Sequence, residues 1–299
     1  MAPILPNAAE PLSLRPLHST VRPGYRESRK SLPVPADLTV LMPRVHLIQM
    51  DITWEQAQVN HARARALLDA AKVAPGDLVI LPEMFDTGFS FNTPVTADTH
   101  ARTLAFLRDA ARRTGAVVQG GRTSPGSSRC HNVMSVLSPD SVDPVVEYAK
   151  IHLFGREADH LAPGHDVVTY PWPTSGLTIT PAICYDLRFP EVFRAGLRAG
   201  AHAIALGACW PNVRKEHWRA LSIARAIENQ SFVFACNRVG RDPDSPAGPG
   251  LRYDGGSLIL GPRGEIIAEA GADETVLSAE INPALVHEWR AAFPAWREA

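Results

Sequence analysis

From residue 44 onward, short runs of apolar and β-branched residues alternate with longer Ala- and Arg-rich segments whose apolar positions recur at helical spacing. That alternation is the pattern of a layered α/β protein. "RVHLIQMDI" predicts a strand and "WEQAQVNHARARALLDAAKVA" an amphipathic helix closed by the turn "PGD". "LVILPE" predicts a short buried strand, "TLAFLRDAARRTG" a helix ending at Gly115, and "AVVQGGR" a further strand. "CHNVMSVLSP" and "PVVEYAKIHL" predict a hairpin across a turn rich in Pro, Asp and Ser. "LTITPAICYD" predicts a strand, "FPEVFRAGLRAG" a helix with Gly200 past its end, and "AHAIALGACW" a strand. "KEHWRALSIARAIENQ" predicts a helix, "SFVFACNRVG" a strand, and "GGSLILGPRGEIIAEA" a hairpin around Pro262, Arg263 and Gly264. No tandem repeat or internal linker interrupts this order, so residues 44–299 are expected to form one domain.

The first 43 residues have no such period. Pro3, Pro6, Pro11, Pro16, Pro23, Pro33, Pro35 and Pro43 lie among Ser, Arg and short apolar fragments. A disordered leader is expected there, and the prolines interrupt every candidate for the apolar stretch of a secretory signal. Met42 directly precedes the first strand, which raises the expectation that translation starts there; peptides upstream of Met42 in mass spectrometry of the native protein would refute it.

Composition narrows the class of function. The 299 residues carry a net charge of -1, with acids and bases mixed along the chain, so no broad basic face for nucleic acid or a membrane surface is expected. The apolar runs fall far short of the roughly 20 residues a spanning helix needs. Cys130, Cys184, Cys209 and Cys236 are widely spaced, with no CxxC pair, and point to free thiols in a reducing cytoplasm.

Three chemically complementary residues follow apolar runs that should be buried: Glu83 in "LVILPEMFDTGFS", Lys150 in "EYAKIHLFG" and Cys184 in "TPAICYDLRFPE". In open α/β sheets, strand C-terminal ends line the ligand crevice, and a charge buried there is costly unless paired or used. Lysine is scarce, only Lys30, Lys72, Lys150 and Lys215, in a chain that otherwise uses arginine. A thiol attacks as its thiolate and needs a base, for which a buried Glu83 is suited. The helix expected from about Pro190 would also favour a thiolate at Cys184 through its N-terminal dipole. Attack on an amide carbonyl develops an oxyanion, for which Lys150 and the Tyr185 backbone N–H are the candidate donors.

On these residues the chain resembles the carbon-nitrogen hydrolase (nitrilase) superfamily, whose members share a Glu-Lys-Cys triad in this order. "LPEMFDTGFS", "YAKIHLFG" and "CYDLRFPE" resemble its glutamate, lysine and cysteine motifs, and "HWRALSIARAIENQSFVFACNRVG" the helix and strand that follow them in the amidase branches. The combination is most similar to the omega-amidase type, which hydrolyses the terminal amide of 2-oxo acid amides such as 2-oxoglutaramate. The resemblance implies a four-layer α-β-β-α sandwich, a homodimer, and no cofactor or metal. It makes Glu83 the proton shuttle, Lys150 the stabiliser of the tetrahedral intermediate and Cys184 the acylated nucleophile.

The candidate substrate-binding set is Glu157, Tyr185, Arg188 and Trp210. Glu157 in "FGREADHLAPG" matches the place of a second glutamate common in the superfamily, with Asp159 competing for it. Arg188, four residues after Cys184, suits a substrate carboxylate, against the alternative of a structural ion pair. Trp210 in "GACWPN" is either a pocket wall or core. His152, His160 and His217 lack metal-ligand spacing and are expected to pack or hydrogen-bond. Cys209 and Cys236 are expected to be structural and Cys130 exposed, and the glycines of "QGGRTSPG" form no nucleotide motif. Rival activities are a deaminated-glutathione amidase, an N-carbamoyl amine hydrolase, a true nitrilase, or a silent binding protein on the same fold. An acyltransferase of the superfamily's lipoprotein-modifying type would need membrane helices.

Overall fold

Two mixed six-stranded sheets carry the architecture, shown by a computed structural model that describes residues 42–244 and 250–298. In the first sheet, β14 (Thr275–Glu280), β1 (Arg44–Gln49), β2 (Leu78–Ile80), β3 (Val117–Ser124), β4 (His131–Leu137) and β5 (Val146–Ala149) lie side by side in that order. In the second the order is β13 (Ile266–Glu269), β12 (Leu258–Leu260), β9 (Phe232–Asn237), β8 (Ala203–Ala208), β7 (Leu177–Ile183) and β6 (Tyr170–Trp172). Each sheet has a parallel centre, β1-β2-β3 and β7-β8-β9, flanked by antiparallel strands. A small ribbon pairs β10 (Val239–Arg241) with β11 (Arg252–Asp254).

The alternation along each strand explains the layering. Val45, Leu47, Leu78 and Ile80 from one sheet pack against Ile179, Ala203, Ala205, Phe232 and Phe234 from the other, forming the central core. Their strand neighbours point outward. Ile48, Val79 and Val118 meet Ala64 and Leu68 of α1 (Ala57–Ala71) and Phe106, Leu107 and Ala110 of α3 (Arg102–Thr114). Ile204, Leu206, Val233 and Ala235 meet Val192 and Phe193 of α5 (Pro190–Arg198) and Trp218 and Ala226 of α6 (Lys215–Asn229). Both faces of every central strand are therefore covered, which is why these strands read as near-continuous apolar runs. The result is the expected α-β-β-α sandwich. Short helices α2 (Thr93–Thr96) and α4 (Glu157–His160) sit in the connections.

The predicted elements recur with shifted ends. Helix α1 starts three residues after Trp54, because Glu55 takes a left-handed conformation (φ 55°) and its carboxylate accepts from Ser90 Oγ at 2.6 Å instead of entering the helix. The strand expected through "YAKIHL" stops at Ala149, and the one through "ICYD" stops at Ile183. The sequence reading assigns nothing after Ala270, where β14 and α7 (Ala284–Ala292) form. Buried Arg290 of α7 donates to the carbonyls of Asn229 and Gln230, answering orphan acceptors at the end of α6, and to the Ala201 carbonyl just before β8. Of the leader expected over residues 1–43, only Met42 and Pro43 are described, and Pro43 is buried with its carbonyl accepting the Ile281 N–H at 2.8 Å; residues 1–41, on which the expected start at Met42 also bears, lie outside the described residues.

Two glycines let the sheets meet at one end. A Cβ on Gly207 in β8 would stand 2.2 Å from Met134 Cε and 2.9 Å from the Leu81 carbonyl oxygen. A Cβ on Gly121 in β3 would stand 2.7 Å from Glu83 Cα and 2.6 Å from the Met84 nitrogen. The backbone carrying Glu83 thus lies directly against both strands, which accounts for a glycine in "QGGR" that no ligand motif explains.

Candidate active site

Glu83, Lys150 and Cys184 lie just beyond β2, β5 and β7 and converge. Glu83 Oε1 accepts from Lys150 Nζ at 2.7 Å and from Asn132 Nδ2 at 2.7 Å. Its Oε2 accepts from the Cys209 backbone N–H at 2.9 Å, a bond that crosses from one sheet to the other. Lys150 Nζ also donates to Glu157 Oε2 at 2.8 Å, and Asn132 Nδ2 to Glu157 Oε1 at 2.8 Å. Glu83, Lys150, Glu157 and Asn132 therefore close a ring in which each carboxylate is held by the same two donors. All four are essentially inaccessible to solvent, Lys150 being 1% exposed. Burial at this level is tolerable because the charges are paired and hydrogen-bonded.

Of the two candidate acids after the lysine, Glu157 is the one that contacts it. Asp159 is exposed and pairs with Arg156 at 3.5 Å, whereas Glu157 is enclosed and also accepts the Phe154 backbone N–H at 2.8 Å. Glu157 stands behind Lys150 and not on the cavity wall. Its surroundings position the lysine.

Cys184 adopts φ 44°, a left-handed conformation unusual for a residue with a Cβ, and opens a 3-10 turn, Cys184–Arg188. Buried Asp186 holds that turn. Its carboxylate accepts from the Ile183 N–H at 3.1 Å, the Tyr148 hydroxyl at 2.8 Å and the His152 N–H at 3.0 Å. Helix α5 begins at Pro190, as expected, with this 3-10 turn between it and Cys184.

The electrostatics define the resting protonation state. Burial works against the charge on Lys150, but Glu83 and Glu157 outweigh it and hold the ammonium well above the ordinary lysine range. Burial and then the Glu83 charge push the Cys184 thiol well above the usual cysteine range, and the opposing pull of Lys150 does not offset them. Burial raises Glu157 as well, with Lys150 pulling it down. The thiol is consequently held toward its protonated form beside Glu83, an arrangement in which a base must take its proton before the sulfur attacks.

Cys184 opens onto a narrow cavity whose lining includes Phe89, Phe154, Tyr185, Trp210 and Leu251 together with Arg188 and Arg214. Trp210 is both wall and core: it is 3% exposed, and its indole N–H donates to the Arg214 carbonyl at 2.8 Å. Arg188 has no acidic partner among the described residues. It donates to His217 Nδ1 at 3.2 Å and lies 4.9 Å from the Trp210 ring centroid. The structural ion pair considered for it does not form there.

This geometry accords with a match along most of the chain: the family model described as carbon-nitrogen hydrolase covers residues 44–291. The chain belongs to the carbon-nitrogen hydrolase family. This carbon-nitrogen hydrolase is 34% identical over 259 residues to omega-amidase YafV of Escherichia coli (strain K12), covering 86% of this chain and 96% of that protein. It is 32% identical to the 2-oxoglutaramate amidase of Bacillus subtilis (strain 168) over 255 residues, 84% of this chain and 95% of the other. Among solved structures it matches XC1258 from Xanthomonas campestris, a CN-hydrolase superfamily protein with an arsenic adduct in its active site. That match has a TM-score of 0.78 at 32% identity, over 86% of this chain and 97% of that one. The protein is thus an enzyme that cleaves carbon–nitrogen bonds on a nitrilase-type fold.

The remaining candidates find ordinary partners. His152 stacks on Phe189 at 3.6 Å and meets Asp186 at 3.1 Å, and His160 stacks on Phe91 at 5.3 Å. Cys236 is buried in the core, and Cys130 is partly exposed. Cys209 departs from its expected purely structural role: it lines the same cavity, and its backbone N–H holds Glu83. Among the described residues no helix is long and apolar enough to cross a membrane.

The sequence reading missed Asn132, Asp186 and Asp86. Asp86, three residues after Glu83, is fully enclosed and accepts from Thr103 Oγ1 at 2.7 Å, and burial raises its pKa to about 7. The folded protein therefore binds this proton more tightly than the unfolded chain, whose carboxyl has its ordinary pKa of about 4. The stabilisation is complete below that value and lost as pH rises through about 7. Asp86→Asn should consequently gain thermal stability relative to the wild type as pH is raised from 5 to 8. Melting curves with a constant gap between the two proteins across that range would refute this account of Asp86.

Proposed function

We propose that this enzyme is a cysteine amidase that hydrolyses the terminal amide of a small 2-oxo acid amide, 2-oxoglutaramate or 2-oxosuccinamate. The observation that carries the reading is the placement of Cys184 beside the Glu83–Lys150 pair in a cavity lined by two arginines. The likeness to an omega-amidase and to a 2-oxoglutaramate amidase supports the same substrate class.

The chemistry follows from the placement. Glu83 takes the thiol proton as Cys184 Sγ bonds to the amide carbon, and the carbonyl electrons move to oxygen. Lys150 spends two of its three N–H donors on Glu83 and Glu157, leaving one for the oxyanion. The Tyr185 N–H lies in the first turn of the 3-10 segment, where amides lack partners within the helix, and supplies a second donor. The C–N bond breaks as Glu83 passes its proton to the leaving nitrogen, which departs as ammonia and leaves a thioester. Water then attacks the thioester, giving a proton to Glu83. The acid is released, and the proton returns to the Cys184 sulfur. Arg188 binds the distal carboxylate of the substrate. A homodimer in the cytoplasm belongs to the same reading.

Ammonia release across a substrate panel tests it. The two 2-oxo acid amides should exceed N-carbamoyl amines and simple nitriles, which lack the 2-oxo acid head, in kcat/KM by about 10² or more, roughly the gain from one well-satisfied charged contact. Hydrolysis of deaminated glutathione without hydrolysis of 2-oxoglutaramate would overturn the assignment.

A further inference from the structure

Arg214 lines the same cavity as Cys184 and Arg188, and nothing in the sequence reading singled it out. It is half-buried at the end of a short 3-10 turn, Asn212–Arg214, just before α6. Its guanidinium lies 5.3 Å from the Phe154 ring centroid, and among the described residues no acid pairs with it. Arg188 repeats the arrangement on the other rings, 4.9 Å from Trp210 and 5.9 Å from Tyr185. Phe154 and Tyr185 themselves meet edge-on at 5.0 Å, so one continuous aromatic surface carries both cations.

Two guanidiniums bordering one small cavity, each supported by a ring face and neither neutralised by a described carboxylate, repel each other and raise its positive potential. Stacking on aromatic faces holds such groups in place but does not remove their charge. A ligand carrying several acceptor oxygens does. The head of a 2-oxo acid has three in one plane, two from the carboxylate and one from the adjacent carbonyl, which is more than a single planar fork can take bidentately.

We infer that Arg214 is a specificity-determining residue, which binds the 2-oxo acid head of the substrate together with Arg188 at the end of the cavity remote from the scissile amide. This rests on the substrate class proposed above. The pair selects 2-oxo acid amides over amides that lack an anionic head, because without such a head both cations stay unpaired in a partly desolvated pocket.

The test is steady-state ammonia release by the full chain and its Arg214→Met and Arg214→Lys variants, with 2-oxoglutaramate and neutral pentanamide as substrates. Arg214→Met should raise KM for 2-oxoglutaramate by about 10- to 100-fold, the range of one charged hydrogen-bonding contact, with kcat changed by less than about threefold. The preference for 2-oxoglutaramate over pentanamide in kcat/KM should fall by a similar factor, and Arg214→Lys should recover part of it. A purely structural role would lower kcat on both substrates together and leave the preference intact, overturning the inference. So would a KM within twofold of wild type. If Arg214→Met fails to fold, the Lys variant carries the test: it keeps the charge but loses the fork, so an unchanged preference in it also overturns the inference. Wild-type enzyme that turns over 2-oxoglutaramate with variants indistinguishable from it sinks this inference alone, whereas wild-type enzyme inactive on every 2-oxo acid amide sinks the substrate class beneath it.

Discussion

Replacing Cys184 with alanine is expected to abolish ammonia release while leaving the fold intact. The loss should reach about 10⁶ in kcat, as when the nucleophile of a comparable acyl-transfer enzyme is removed. No other group can take over. Cys209 is buried beside the same glutamate, but its Sγ points to the Glu83 carbonyl oxygen at 3.2 Å, and burial and Glu83 raise its thiol well above the usual range. The substitution removes one sulfur from a site that is 7% exposed and leaves the Glu83–Lys150–Glu157–Asn132 ring intact. Circular dichroism and melting temperature should therefore stay close to wild type. Residual turnover above about one percent would exclude Cys184 as the nucleophile.

Replacing Lys150 with methionine carries the second large effect, and it should act on both rate and stability. The ammonium is the only cation bonded to either Glu83 or Glu157 among the described residues, and its removal leaves two fully enclosed carboxylates bridged by Asn132 alone. Breaking a buried charge network from one side typically costs about 3 to 5 kcal/mol. Losing one oxyanion donor costs roughly 10² to 10³ in kcat. The variant should show both losses, measured by chemical denaturation and by ammonia release. A loss of rate under about tenfold would contradict the oxyanion role. An unchanged stability would contradict the view that the lysine neutralises the two acids.

Much of the site was readable because each of its three central residues follows an apolar run, and such runs mark strands whose ends gather at one side of a sheet. "LVILPE", "VVEYAK" and "ITPAIC" report both the strand and the residue that departs from it. What stayed hidden has a common physical reason. Asn132 sits at an ordinary alternating position of β4, and only the spatial neighbours of that strand reveal that its amide joins two carboxylates. The Cys209 contribution is a backbone N–H, to which side-chain identity is blind. Arg214 precedes a charged helix start, "RKEHW", where a surface cation is the ordinary reading. Cys184 itself reads as a strand residue, yet Asp186 two residues later pulls the chain into a turn and sets the left-handed backbone. At fold level, β14 and α7 were missed because "TVLSAE" is mostly half-exposed and α7 buries only Val286 and Arg290, so neither shows a strong apolar stripe.

The central claim is that Cys184 is acylated by a 2-oxo acid amide, and trapping the intermediate tests it most directly. Wild-type enzyme mixed with 2-oxoglutaramate, quenched in acid within the first turnover and digested, should yield the peptide containing Cys184 heavier by the substrate less one ammonia. The adduct should be absent from Cys184→Ala and should disappear on treatment with hydroxylamine, as a thioester does. Turnover of 2-oxoglutaramate with no adduct on Cys184, or with the adduct on another residue, would contradict the account.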